Sequence, residues 1–114
     1  MLIVDKHISL GELRTMSQNM FGSLVKAVVD IDKGIMVVDA ELHADEEALL
    51  LEKGSQQEYL WGINLYPEYV GTEDFVEFDS MINLRPGKGN RSRGVDNLEI
   101  QAIIRNIVDR LVSQ

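Results

Sequence analysis

The stretch that decides the fold is SLVKAVVDIDKGIMVVDAELH, residues 23–43. It consists of two runs rich in β-branched residues, separated by the three-residue loop Asp32-Lys33-Gly34. Two such runs joined by a short loop that ends in glycine are typical of a β-hairpin, in which the glycine takes the left-handed conformation. The sequence therefore predicts adjacent antiparallel strands at residues 23–31 and 35–43.

The elements on either side of this hairpin predict an α+β fold. A short strand is predicted at residues 2–4, and Ser9-Leu10-Gly11-Glu12 has the form of a capping box that begins a helix. Residues 59–66 and 75–84 predict a second hairpin, and apolar residues at helical spacing predict a last helix over about 97–112. The order βα ββ α ββ α predicts one domain over residues 1–114. We expect two layers, with a mostly antiparallel sheet of about five strands and three helices on one face.

The segment DEEALLLEK, residues 45–53, has two interpretations. Asp45 as an N-cap, acidic residues in the first turn, a terminal lysine and Gly54 just beyond favour a short helix. Alternatively, ALLLE is a strand that turns at Lys53-Gly54. We prefer the helix because the cap, the order of charges and the glycine agree.

Composition excludes several functional classes. The 114 residues include no cysteine, which excludes disulfide frameworks, thiolate zinc sites and cysteine nucleophiles and fits a reducing cytoplasm. No apolar run approaches the roughly 18 residues of a membrane span, and the N-terminus lacks the apolar core of a signal peptide. We therefore expect a cytoplasmic protein with no membrane partner. The formal net charge of −8 opposes broad binding to nucleic acid.

Alternation along the predicted strands places polar residues on one face of the sheet. Asp39, Glu41 and His43 fall at a spacing of two, so they share a side of a strand. Their two carboxylates and imidazole are suited to hold a divalent metal, and no other cofactor is evident. The same groups are suited to acid–base catalysis, with His43 as the residue that transfers the proton. The alternative is a solvated sheet face.

A glycine-rich basic loop, NLRPGKGNRSRGVDN at residues 83–97, contains four of the eleven basic residues. We call it the arginine loop. Arginine forms bidentate hydrogen bonds with phosphate or carboxylate, and Gly87 and Gly89 allow backbone amides to approach an anion. The spacing matches neither common nucleotide-binding glycine motif. Asp96 and Glu99 oppose an anion at the start of the next helix. We therefore expect an anion within the loop itself; alternatively, its arginines pair with the acidic body or with a second subunit.

Three segments resemble a family of small prokaryotic proteins of unknown function. In chain order they are AVVDIDKGIMVVDAELHADEEALLLEKGS, LWGINLYP and FDSMINLRPGKGNRSRGV. The similarity covers nearly the whole chain. The resemblance implies a single-domain protein, and it implies no activity, substrate or catalytic residue.

These observations predict a pocket where the polar sheet face meets the arginine loop, binding a small anionic ligand and acting on it if the protein is an enzyme. Besides the residues of the polar strand, the candidate ligand-binding residues are Asn64, Asn83, Arg85, Asn90, Arg91 and Arg93. An alternative is a non-enzymatic interaction module, in which the loop contacts an acidic partner or the second copy in a homodimer. RNA binding through the loop and nearby aromatic residues is a further alternative, which the acidic body opposes.

Overall fold

A computed structural model describes residues 1–114. The strands are β1 (Leu2–Val4), β2 (Ile8–Ser9), β3 (Val25–Asp30), β4 (Ile35–Val38), β5 (Leu60–Leu65), β6 (Val76–Glu77) and β7 (Val112–Ser113). The helices are α1 (Leu10–Asn19), α2 (His43–Glu52) and α3 (Leu98–Leu111). None of these helices combines the length and the apolar character needed to cross a membrane.

Strand β3 is the centre of a five-stranded sheet with the order β1-β4-β3-β5-β6, in which every pair is antiparallel. Ala27 lies opposite Val38 on one side and opposite Ile63 on the other. Gly34 has a φ of 69°, as the predicted loop between β3 and β4 requires. The hairpin, the α+β class, the five-stranded antiparallel sheet and the three helices are therefore confirmed. Strands β2 and β7 form a separate parallel pair.

Apolar clusters cover both faces of the sheet. A cluster of 18 buried residues joins one face to α1 and α3, and a cluster of four joins the other face to Leu50 of α2. The sheet therefore has helices on both faces, rather than on one face as expected. The reason lies in β3, where Val28 and Val29 point to opposite faces and are both fully buried. A strand that is apolar on both sides needs cover on both.

The strand predicted at residues 35–43 ends at Val38. Asp39 takes a left-handed conformation with a φ of 71°, and α2 begins at His43. Asp39, Glu41 and His43 therefore do not share a strand face, contrary to the prediction. The helical interpretation of residues 45–53 is confirmed, but α2 starts two residues earlier, so that its N-cap is Leu42 rather than Asp45.

The strand predicted at residues 75–84 also ends early, at Glu77. The following chain crosses the sheet at Gly62, where a Cβ atom would lie only 2.5 Å from the Cβ of Ser80. The side chain of Asn83 donates to the carbonyl of Gly62 at 2.9 Å and accepts from its amide at 2.8 Å. One buried amide side chain thus satisfies the backbone groups that a longer β6 would have paired.

Candidate functional site: the histidine cleft

A cleft with a volume of about 480 Å³ opens between the N-terminal end of α2, strands β3 and β5, and the segment after β6. Its volume is within the usual range for small-molecule sites. We call it the histidine cleft. Its polar lining is formed by Lys26, His43, Asn64, Tyr66, Glu77, Asp79, Ser80 and Arg93. Its apolar lining is formed by Leu24, Leu42, Ala44, Met81 and Ile82.

His43 is the first residue of α2, and its ring is buried against β5. Its Nε2 donates a hydrogen bond to the carbonyl of Ile63 at 2.8 Å. Because a carbonyl only accepts, this nitrogen carries the proton. Burial lowers the pKa of His43, so the ring is neutral at pH 7. The Nδ1 atom of the neutral ring therefore carries the lone pair.

Asn64 lies beside His43 and is only 7% exposed. Its Nδ2 donates to the carboxylate of Glu77 at 2.8 Å and to the carbonyl of Asp79 at 3.4 Å. Both partners accept, which fixes the orientation of the amide and leaves the buried Oδ1 without a donor. Although burial dominates and lowers the pKa of His43, the carbonyl of Ile63 and the adjacent Asn64 side chain act in the opposite direction and favour the protonated ring. Asn64 is therefore placed to accept a hydrogen bond when the imidazole gains a proton.

Lys26 supplies the positive charge of the cleft. It lies directly opposite Asn64 in the neighbouring strand, and its ammonium group is 4.9 Å from the centroid of the Phe21 ring. An aromatic face attracts a cation without neutralising it. The ion pairs of the chain are Arg14 with Glu68 and Arg93 with Asp79. Lys26 therefore has no carboxylate partner. The sequence analysis did not select this residue. The pattern that could have indicated it is a single lysine, two residues before Val28 and therefore on the same side of an otherwise apolar strand.

The N-terminus of α2 opens onto the same cleft and has no side-chain cap. In α1 and α3, Ser9 and Asn97 accept hydrogen bonds from first-turn amides. The predicted N-cap at Ser9 is confirmed, but Glu12 accepts from the hydroxyl of Ser9 rather than from its backbone amide, so the capping box is incomplete. Leu42, at the same position of α2, has no acceptor in its side chain. Uncapped amides and the helix dipole together favour an anion.

Glu46 lies in the first turn of α2 but does not oppose an anion there. It is wholly buried, and neither carboxyl oxygen has a hydrogen-bond partner. Burial raises the pKa of Glu46 to about 10, so the side chain is neutral at pH 7. The other acid of this turn, Asp45, is exposed and lines a different surface depression.

Most of the arginine loop is engaged with its own chain. Arg85 stacks on Trp61 at 4.7 Å from the ring centroid and donates to the carbonyls of Leu60 and Ile82. These contacts attach the start of the loop to the start of β5. Arg85 therefore does not reach the histidine cleft.

Asn90 and Asp96 organise the rest of the loop. Nδ2 of Asn90 donates to the carbonyls of Asn83 at 2.7 Å and Gly94 at 2.9 Å, while its Oδ1 accepts from the amide of Asp96 at 2.8 Å. The Asp96 carboxylate accepts from the backbone amide of Arg91 at 2.7 Å. The carboxylate of Asp96 thus accepts the hydrogen bond of a backbone amide that an external anion in the loop would need.

The structure brings His43, Asn64 and Arg93 together in the histidine cleft. The other predicted site residues lie elsewhere: Asp39, Glu41, Asn83, Arg85, Asn90 and Arg91. No group of three or more His, Cys, Asp or Glu residues is arranged to hold a metal ion. The predicted metal triad is not assembled, because the chain turns at Asp39 and enters α2 at His43.

The fold and the cleft define a small α+β protein with a polar, histidine-containing cleft at the start of a helix. The chain belongs to the family described as "Protein of unknown function (DUF5674)", whose model matches residues 2–111. The predicted resemblance to a family of unknown function over nearly the whole chain is thereby confirmed. No curated protein and no solved structure matches the chain.

Proposed function

We propose that the protein binds a small monoanionic ligand in the histidine cleft. One observation carries this proposal: the unpaired ammonium group of Lys26 and the uncapped N-terminus of α2 line the same cleft. Both attract negative charge, and the attraction between charges strengthens where protein replaces water.

The cleft favours a ligand of low charge, because its side chains carry one unpaired cation and one unpaired carboxylate, and only the uncapped N-terminus of α2 adds further positive potential. Lys26 contributes one full positive charge, whereas Arg93 is paired with Asp79 at 2.8 Å. Glu77, which accepts hydrogen bonds from Asn64 and from the hydroxyl of Tyr66, adds a negative charge. A doubly charged phosphate would be repelled by this carboxylate, while a carboxylate ligand finds one matching cation.

His43 adds a second requirement, because its Nδ1 lone pair calls for a hydrogen-bond donor. A hydroxyl group beside the carboxylate of the ligand meets it. Because the carbonyl of Ile63 holds the proton of the ring on Nε2, Nδ1 is the nitrogen that accepts this hydrogen bond.

Thermal unfolding with propionate, lactate and phosphate tests this proposal at pH 7 and constant ionic strength. At ten times its Kd, lactate stabilises the protein by about 1.4 kcal/mol, which raises the Tm by about 6 °C. Lactate binds about fivefold tighter than propionate because of one extra hydrogen bond, and phosphate binds most weakly. Lys26→Gln abolishes these shifts, whereas Lys33→Gln, in the exposed hairpin loop, retains them. Equal shifts in both variants would contradict the proposal.

Docking of the loop on an acidic partner or on a second copy is a separate candidate function. Lys88 and Arg91 are exposed and form no ion pair within the chain, which favours this alternative. A homodimer held by these cations dissociates when Lys88→Ala and Arg91→Ala are combined, and sedimentation measures the change. A sedimenting monomer in the unmodified protein would exclude the homodimer.

A further inference from the structure

Apolar side chains form the mouth of the histidine cleft. Leu42 is 56% exposed and Met81 is 62% exposed, and the partly buried Leu24 and Ile82 line the cleft beside them. Single exposed apolar residues are ordinary on a protein surface. Here two exposed and two partly buried apolar side chains surround one polar floor and give the cleft an apolar wall.

Neither Leu42 nor Met81 contributes to the hydrophobic core, since both are absent from the two apolar clusters and from the side chains packed against them. Leu42 also occupies the N-cap of α2, where serine, threonine, asparagine and aspartate are strongly preferred. It therefore supports neither the core nor the helix. A residue that is unfavourable for local structure, and that stabilises nothing else in the fold, is expected at a functional site.

We infer that the ligand is a carboxylic acid that carries an aliphatic or aromatic group. Its carboxylate lies at Lys26 and the N-terminus of α2, and its apolar group lies between Leu42 and Met81. This inference rests on the proposed monoanion site and names the class of ligand that the site accepts. A fully polar ligand would leave both exposed side chains in water.

Isothermal titration with acetate, butyrate and hexanoate at pH 7 and constant ionic strength tests the inference. Burial of a methylene group strengthens binding up to about fourfold, so we expect roughly two- to fourfold per methylene along the series. The double variant Leu42→Ala, Met81→Ala loses this dependence and keeps the affinity for acetate. Leu98→Ala is the matched control, because Leu98 is 75% exposed at the first position of α3 and lies outside the cleft.

The possible results distinguish failure of this inference about the apolar group from failure of the proposed anion site. If hexanoate binds no more tightly than acetate to the unmodified protein, the inference is overturned and the anion site stands. A chain-length dependence that survives in the double variant overturns it as well. If no carboxylate of the series binds, the proposed anion site fails. The unmodified protein alone supplies the first and third comparisons, so they do not depend on the folding of a variant.

Discussion

Replacement of Glu46 by glutamine tests whether Glu46, beside the histidine cleft, is neutral in the native protein. The measured quantity is the free energy of unfolding as a function of pH. Burial raises the pKa of Glu46 from its ordinary value of 4.5 to about 10. Between these pH values the native protein holds the proton and the unfolded chain releases it. The contribution of Glu46 to stability is therefore complete below pH 4.5 and is lost progressively as the pH rises towards 10.

The expected magnitude follows from the difference in pKa. The loss is about 1.4 kcal/mol per pH unit and reaches about 3 kcal/mol at pH 7, a large part of the roughly 5–15 kcal/mol that stabilises a typical domain. Glu46→Gln has a similar shape and does not titrate. The stability of this variant relative to the unmodified protein therefore rises by about 1.4 kcal/mol per unit between pH 5 and 8.

Urea denaturation at pH 5, 6, 7 and 8 measures this difference. Glu52→Gln, at the exposed C-terminal end of the same helix, controls for the loss of one acidic group. Parallel pH curves for Glu46→Gln and the unmodified protein would refute the reasoning. They would show that native Glu46 is ionised, and a charged Glu46 near Lys26 would remove the positive charge on which anion binding depends.

Two further predictions concern α2 and the segment after β6. Leu42→Ser supplies the missing cap and raises the free energy of unfolding by about 1 kcal/mol, or the Tm by about 4 °C, while it weakens lactate binding because the hydroxyl group occupies a first-turn amide. An unchanged Tm would show that these amides already have partners. Asn83→Ala leaves the amide and carbonyl of Gly62 unpaired and lowers the free energy of unfolding by about 3 kcal/mol in urea. Arg93→Gln, which breaks an exposed ion pair, lowers it by less than about 1 kcal/mol, and equal losses would contradict the structural role of Asn83.

Elements defined by neighbouring residues were predictable from the sequence. The β3–β4 hairpin depends on a loop ending in Gly34, and α1 depends on Ser9 and Glu12, four positions of continuous chain. Strand ends were not predictable in this way. The end of β6 depends on Asn83, which satisfies the backbone of Gly62, 21 residues away. No local pattern reports such a contact.

The candidate site shows the same division between local and distant causes. His43 and Asn64 were selected because strand alternation grouped polar residues, although His43 begins a helix rather than ending a strand. Lys26 was missed because its environment is set by residues from separate elements. Its charge is available because Phe21 provides an aromatic face and Glu46 is neutral. The loop arginines looked more suitable in sequence, but the fold uses Arg85 internally and pairs Arg93.

Two independent losses of stability coincide in the first turn of α2. A neutral Glu46 costs about 3 kcal/mol at pH 7, and an apolar N-cap costs about 1 kcal/mol relative to serine. Glutamine at one position and serine at the other would relieve both without a change of fold. Only the second loss is tied to the proposed anion site, because glutamine at position 46 would leave Lys26 unpaired just as neutral Glu46 does, whereas a serine cap would occupy an amide of α2. In a protein with a net charge of −8, the apolar N-cap is therefore the feature at which we expect a stability–function compromise, if the cleft binds an anion as proposed.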